Sequence, residues 1–198
     1  MYNIDELDLS KTYSYADYVS WRFEERLELI RGKIFKMCPA PSGDHQTVTG
    51  NIFGEIYQFL KDKQCRVFIA PYDVRLVRNE KSDKKVKTVV QPDVCVICDL
   101  AKITDQRSCL GAPDLVVEVL SPGNNSKEIK IKYDLYEEFG VKEYWMVYPD
   151  ELSLVKYVLN SEGKFNPEGR ALTLGDKLTT PILPGFELSL DDVFRNLI

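Results

Sequence analysis

The chain has 198 residues, a length that predicts one domain over 1–198. Hydrophobic residues make up 44% and charged residues 29%, the balance of an ordinary globular protein, and no apolar run approaches the roughly 18 residues of a membrane span. The formal net charge of -5 argues against a uniformly basic, phosphate-binding surface. That charge is uneven, however. The stretch from Lys61 to Val90 holds nine basic and four acidic residues, +5, which leaves -10 for the rest. It reads as one basic surface on an acidic body, or more plainly as a solvated hairpin loop over 79–87. The first ten residues are acidic and lack the apolar stretch of a secretory signal, so a cytoplasmic location is expected by default.

In chain order, Tyr15, Tyr18, Val19 and Phe23 predict a first helix from Ser14 to Glu25. Two short strands, Arg26 to Ile30 and Lys33 to Met37, flank a turn at Arg31-Gly32, and Pro39 and Pro41 then break the chain. A second helix starts near Asp44 as N-cap and sets Val48, Ile52, Ile56, Phe59 and Leu60 on one face, with His45 on that same face. Strands follow at Val67 to Ala70, Val74 to Val77, Val89 to Cys98 and Asp114 to Leu120. A third helix runs from Ser126 to Phe139 and stops at Gly140, and Glu143 to Tyr148 and Leu152 to Val158 read as strands. The order predicts an α/β (α+β) fold with a mixed central sheet flanked by helices.

Five cysteines (Cys38, Cys65, Cys95, Cys98 and Cys109) and no signal sequence predict free thiols. Cys95 and Cys98 have the spacing of a zinc half-site, but residues three apart on a strand point to opposite faces. His45 is the only histidine, which leaves a Ser/His hydrolase or a His-rich metal centre poorly supported.

Two acids interrupt apolar strands: Asp93 before Val-Cys-Val-Ile, and Glu118 inside Leu-Val-Val-Glu-Val-Leu. An isolated buried carboxylate is expensive, so such residues call for a partner or a metal. On the third helix Ile129, Lys132, Leu135, Tyr136 and Phe139 share a face, and Lys132 near the middle of that stripe must snorkel outward or enter a polar site. Hard carboxylate oxygens suit Mg²⁺ or Mn²⁺, and an ammonium beside them can orient water or meet developing negative charge.

Several segments in order carry a resemblance: Leu27-Glu28-Leu29-Ile30-Arg31-Gly32, His45 at a helix start, Gln91-Pro92-Asp93-Val94, Ala112 to Pro122, then Lys132, Tyr136, Gly140-Val141, Glu143-Tyr144-Trp145 and Leu183-Pro184-Gly185-Phe186. From about Tyr13 to Phe194 the chain resembles the Uma family of restriction-endonuclease-type proteins, within the PD-(D/E)XK nuclease superfamily. The resemblance implies a restriction-endonuclease-like core and metal-dependent hydrolysis of DNA. It implies Mg²⁺ or Mn²⁺ on Asp93 and Glu118, with Lys132 as the catalytic lysine. The superfamily's usual lysine position holds Leu120 here, and the resemblance implies a lysine on the following helix instead, the position that Lys132 fits. Glu28 matches a third acidic position, and His45 and Gln91 are candidates to line the site. A homodimer is expected, and no small-molecule cofactor. Asp114 lies roughly 13 Å from Glu118 along an extended strand, too far to share a metal. The alternative is a catalytically silent nuclease-fold module for nucleic-acid or protein interaction.

Overall fold

The computed structural model describes residues 7–21, 25–37, 41–80, 82–105, 107–121 and 126–197. In chain order the elements are α1 (Tyr15–Tyr18), β1 (Leu27–Ile30), β2 (Lys33–Lys36), α2 (Gly43–Leu60), β3 (Arg66–Ile69), β4 (Asp73–Arg75), β5 (Val89–Val90), β6 (Val94–Ile97), β7 (Ile103–Asp105), β8 (Ser108–Leu110) and β9 (Leu115–Val119). They continue with α3 (Ser126–Phe139), β10 (Glu143–Tyr148), β11 (Ser153–Leu159), β12 (Phe165–Pro167), β13 (Leu172–Thr173), β14 (Lys177–Thr179), β15 (Glu187–Ser189) and α4 (Leu190–Val193). Hydrogen bonds join β12-β11-β10-β9-β6-β3 into one sheet, with β13 on β11, and β2-β1-β5-β4-β8-β7 into a second. In the first sheet β9 and β10 run parallel across the α3 crossover while β6 opposes β9, so the sheet is mixed as the sequence predicts.

β6, β9 and β10 read as near-continuous apolar runs because both of their faces are covered. On one face Val94, Val96, Leu115, Val117, Trp145 and Val147 pack with Val48, Ile52 and Ile56 of α2. On the other, Cys95, Ile97, Val116, Tyr144 and Met146 pack with Leu135 and Tyr136 of α3 and with Val74 and Val90 of the second sheet. Each fully buried aliphatic side chain there contributes roughly 1.5–3 kcal/mol. Glu118 alternates in phase with Val116, which turns it toward α3. Among the described residues no helix is long and apolar enough to cross a membrane.

The single strand expected from Val89 to Cys98 is two strands in different sheets. Pro92 has no N–H to give a ladder, and the chain changes sheets there. Gln91 N–H donates to Glu28 Oε1 at 2.8 Å, and the Asp93 carbonyl accepts from Ala70 N–H at 3.0 Å. The crossing places Asp93 at the head of β6. The second sheet itself was not expected, because its pairings of β1 with β5 and β4 with β8 join segments far apart in sequence.

The expectation of free thiols is corrected for one pair, since Cys65 and Cys98 form a disulfide. The register that pairs Arg66 with Ile97 sets Cys65 opposite Cys98, which no count of cysteines reveals. Cys95 and Cys109 are free and buried, and burial pushes both thiols up, that of Cys109 to about 12. Cys95 and Cys98 do face opposite sides, each packed in a different cluster. Cys38 lies outside the described residues.

The first helix covers only Tyr15–Tyr18, with Ser14 as cap in a reciprocal pair with Asp17; Phe23 lies outside the described residues. Tertiary contacts use up the apolar spacing. Tyr15 is buried with Leu29, Val86 and Val89, and the Tyr18 hydroxyl lies within donating distance of the Leu27 carbonyl and Asp73. For α2 the cap is Ser42, whose Oγ accepts from His45 N–H at 3.2 Å, rather than Asp44, which sits in the first turn where negative charge is favourable. α3 and β10 have the predicted bounds.

Candidate active site

The β6–β9 register pairs Val94 with Val117, so one step further Asp93 falls opposite Glu118. Asp93 Oδ2 accepts from the Val119 N–H at 2.8 Å, which pins it across the strands. α3 follows β9 and presents Lys132 one turn before Tyr136. Lys132 Nζ lies 2.9 Å from Glu118 Oε1 and 3.1 Å from Glu28 Oε1, and the Tyr136 hydroxyl donates to Glu118 Oε1 at 2.6 Å. β1 supplies Glu28 and holds it by the Gln91 N–H. Two predicted acids, the predicted lysine and Glu28 therefore meet in one place, brought there by four separate elements.

The electrostatics follow from burial. Glu28 and Glu118 are 5% and 7% exposed. Burial pushes the Glu118 carboxyl from an ordinary 4.5 up to about 7; Lys132 pulls it down, but the charges of Asp93 and Glu28 add to the rise. Burial also works against the Lys132 charge, yet Glu118 and Glu28 more than offset it and hold the ammonium above its ordinary value. Lys132 is thus a fixed cation, and Glu118 is the group poised to change.

These side chains lie on the wall of a cleft of about 370 Å³. His45 is there too: its Nε2 stands 3.3 Å from Asp93 Oδ2, and its Nδ1 is 3.5 Å from Thr49 Oγ1. Burial lowers the imidazole's pKa, but the hydrogen bond and charge of Asp93 outweigh it and leave the group raised. Gln91 is not on the cleft wall. Its amide accepts from Arg26 at 3.0 Å and donates to Asp73 at 2.9 Å and Tyr18 at 3.2 Å, because the break at Pro92 takes it out of phase with Asp93. Its contribution to the site is the backbone N–H on Glu28.

Asp114 sits elsewhere. Its Oδ1 pairs with Lys142 at 2.6 Å and its Oδ2 accepts from Cys98 N–H at 2.8 Å. Burial would raise its pKa, but those two partners hold it below the ordinary 3.8. An Asp114→Ala change orphans the Cys98 N–H, so we expect a stability loss of roughly 1–3 kcal/mol in urea melts with divalent-ion binding unchanged. Weakened binding would place Asp114 in the site after all.

Sequence reasoning missed two contributors. Tyr136 reads as packing because its ring is wholly buried, and helical periodicity says nothing about the hydroxyl at its tip. Arg26 lines the cleft and fixes Gln91, yet only its position two residues before Glu28 on the same strand face points to it.

Among the described residues no group of three or more His, Cys, Asp or Glu side chains forms a ready-made metal cage. The donor chemistry nonetheless fits a divalent ion of the kind that takes one or two carboxylates and keeps its waters. Glu118's donors converge on Oε1 and Asp93's on Oδ2, which leaves one oxygen of each carboxylate for a cation. Glu28, Asp93 and Glu118 also outnumber the single ammonium between them, and the charges of Asp93 and Glu28 add to the rise that burial imposes on the Glu118 pKa.

The fold places the chain in a class. Its structure is similar to one from Anabaena variabilis ATCC 29413 described as a "putative nuclease belonging to DUF820", at a TM-score of 0.69 and 20% identity, over 91% of this chain and 97% of that one. That likeness is one of fold. Residues 15–191 match the Uma2 family, described as "Putative restriction endonuclease", and the chain belongs to that family. No curated protein matches it.

Proposed function

We propose that the protein is a metal-dependent endonuclease that hydrolyses DNA phosphodiester bonds. The observation that carries this reading is the meeting of Lys132 with Glu118 and Glu28 beside Asp93, on the wall of one cleft. Asp93 and Glu118 would hold Mg²⁺ or Mn²⁺. Held there, such an ion would supply an acidified water and positive charge for the phosphodiester. Lys132, charged throughout the physiological range, orients the attacking water and meets the negative charge that grows on the phosphate oxygens. Tyr136 holds Glu118 by Oε1 and the Val119 N–H holds Asp93 by Oδ2, so neither carboxylate needs to reorganise when a cation arrives. Glu28 keeps the Lys132 ammonium in place and presents a further acceptor for water. His45 steadies Asp93. Arg26 and Lys36 on the cleft wall offer positive charge to the substrate backbone. A homodimer is the working unit we expect, since the two-fold pair is the commonest closed assembly.

Calorimetric titration of Mn²⁺ and Mg²⁺ tests the reading. Wild type should bind Mn²⁺, and Asp93→Ala should lose at least about 10-fold in affinity, roughly 1.4 kcal/mol, together with metal-dependent cleavage of labelled DNA offered both single-stranded and as duplex. Failure of the wild type to take up Mn²⁺ would instead favour a silent module that keeps the nuclease fold, a reading that the lack of a ready-made metal cage among the described residues keeps in view.

A further inference from the structure

The cleft has more apolar wall than phosphodiester chemistry requires. Beside the carboxylates and Lys132 it is lined by Ile30, Phe35, Met37, Leu120 and Ile131. The hairpin register explains how charge and ring come together. Glu28 pairs directly with Phe35, and opposite residues of an antiparallel pair share a face. By alternation Ile30 of β1 and Arg26 just before it join them, as does Met37 just past β2, where Met37 N–H still pairs with the Arg26 carbonyl at 3.1 Å. Ile131 faces them from α3, next to Lys132. The result is a concave pocket of about 370 Å³, near the lower end of the roughly 300–1,000 Å³ that enclose a small-molecule-sized group.

A continuous duplex brings only hydrated phosphates and sugars to such a site, since its bases are stacked inside. It gains nothing from an aromatic ring flanked by aliphatic side chains. A base outside the stack has flat apolar faces that fit there, and the cost of exposing it is least where it is already unpaired. Arg26 and Lys36 on the same wall match the charge of the strand that carries it. Resting on the nuclease reading of this site, we propose that the cleft seats one unpaired DNA nucleotide, its base against Phe35 and Ile131 and its phosphate toward Lys132 and the carboxylates. The substrate class is then single-stranded DNA, or duplex DNA with a frayed or tailed end, rather than uninterrupted duplex.

The test compares a short fluorescein-labelled oligodeoxynucleotide, single-stranded or as a blunt duplex, by anisotropy in EDTA and by cleavage in Mn²⁺. Expected are binding of the single strand at least about 10-fold tighter than the duplex, and a loss of about 10-fold in single-strand affinity in Phe35→Ala, as for removal of one stacking ring. Phe35→Tyr should restore it. Should Phe35→Ala fail to fold, Ile131→Ala on the opposite wall carries the same expectation. Equal affinity for the two DNAs, or a Phe35→Ala loss shared equally between them, overturns the inference. Duplex cleaved without single-strand preference sinks the inference and leaves the nuclease reading standing. Single-strand preference that depends on Phe35, without cleavage of either DNA, supports the inference and sinks the nuclease reading. Binding of neither DNA in EDTA, with neither cleaved in Mn²⁺, ends both.

Discussion

A Lys132→Ala variant should unfold with roughly 3–5 kcal/mol less free energy than wild type, the usual cost of stranding a buried charge by removing its partner. Two carboxylates, not one, are left facing each other when the ammonium goes. Their side chains are only 6% and 9% exposed, so water cannot take over the role of the lysine. Lys132 itself is 20% exposed at the side chain, which favours the lower end of that range. Urea denaturation in EDTA near pH 7.5 measures it. The deficit should shrink in acid, where Glu118 binds a proton and its charge no longer needs an ion pair. It should also shrink in a Lys132→Ala, Glu118→Gln double variant, because the two residues are coupled rather than additive. A loss below about 1 kcal/mol at pH 7.5 would show that the ammonium is not what neutralises this pair. DNA cleavage, by the proposed role, should fall to background in the single variant even where the protein remains folded.

Which parts of this site could be read from sequence depends on the kind of regularity each residue obeys. Glu118 and Lys132 break a periodic apolar pattern, strand alternation in one case and a helical stripe in the other, and a charge that violates such a pattern is visible without coordinates. Asp93 becomes the partner of Glu118 through register, which sequence does not display, but its place at the start of an apolar run was enough to single it out. Glu28 carries no such signal. It sits in a short hairpin strand, and only the family resemblance pointed to it. Gln91 shows the opposite case: alternation across one long strand placed it beside Asp93, and the chain's change of sheet at Pro92 voids that alternation. Its side chain then joins Arg26, Tyr18 and Asp73.

The fold divides along the same line. α3 and β10 were legible to the residue because each is a long, strongly patterned segment bounded by turn chemistry, as at Gly140 with its positive φ of 81°. The second sheet and the Cys65–Cys98 disulfide were not, since both are products of long-range pairing. Even so, the second sheet matters to the site. It brings β1 against β5, and so Glu28 within reach of a lysine more than a hundred residues later in the chain. Two carboxylates and a lysine could be found locally, whereas the environment that tunes them is tertiary.

Glu118 makes that tuning measurable. Its folded pKa of about 7 stands above an ordinary 4.5, so between those values the folded protein binds more protons than the unfolded chain. Stability must then fall as pH rises through the window. The size follows from about 1.36 kcal/mol per pKa unit, which gives a loss of roughly 2–3 kcal/mol between pH 5 and pH 8 in EDTA. Carboxylates held low, such as Asp114, have the opposite slope, but theirs lies below about pH 4 and leaves this window alone. His45 does overlap. Its raised pKa adds stability below its ordinary 6.5 that is also lost on raising the pH. Glu143, buried and likewise raised, slopes the same way, so the comparison that isolates Glu118 is wild type against Glu118→Gln, whose profile from pH 5 to 6.5 should be clearly shallower. If the two profiles run parallel, Glu118 is already ionised at pH 5 and its burial does not raise its pKa. Mn²⁺ supplies the converse check: a ligand that must give up its proton binds metal more tightly above pH 7 than below it, so metal should offset the very loss of stability that alkali causes in its absence.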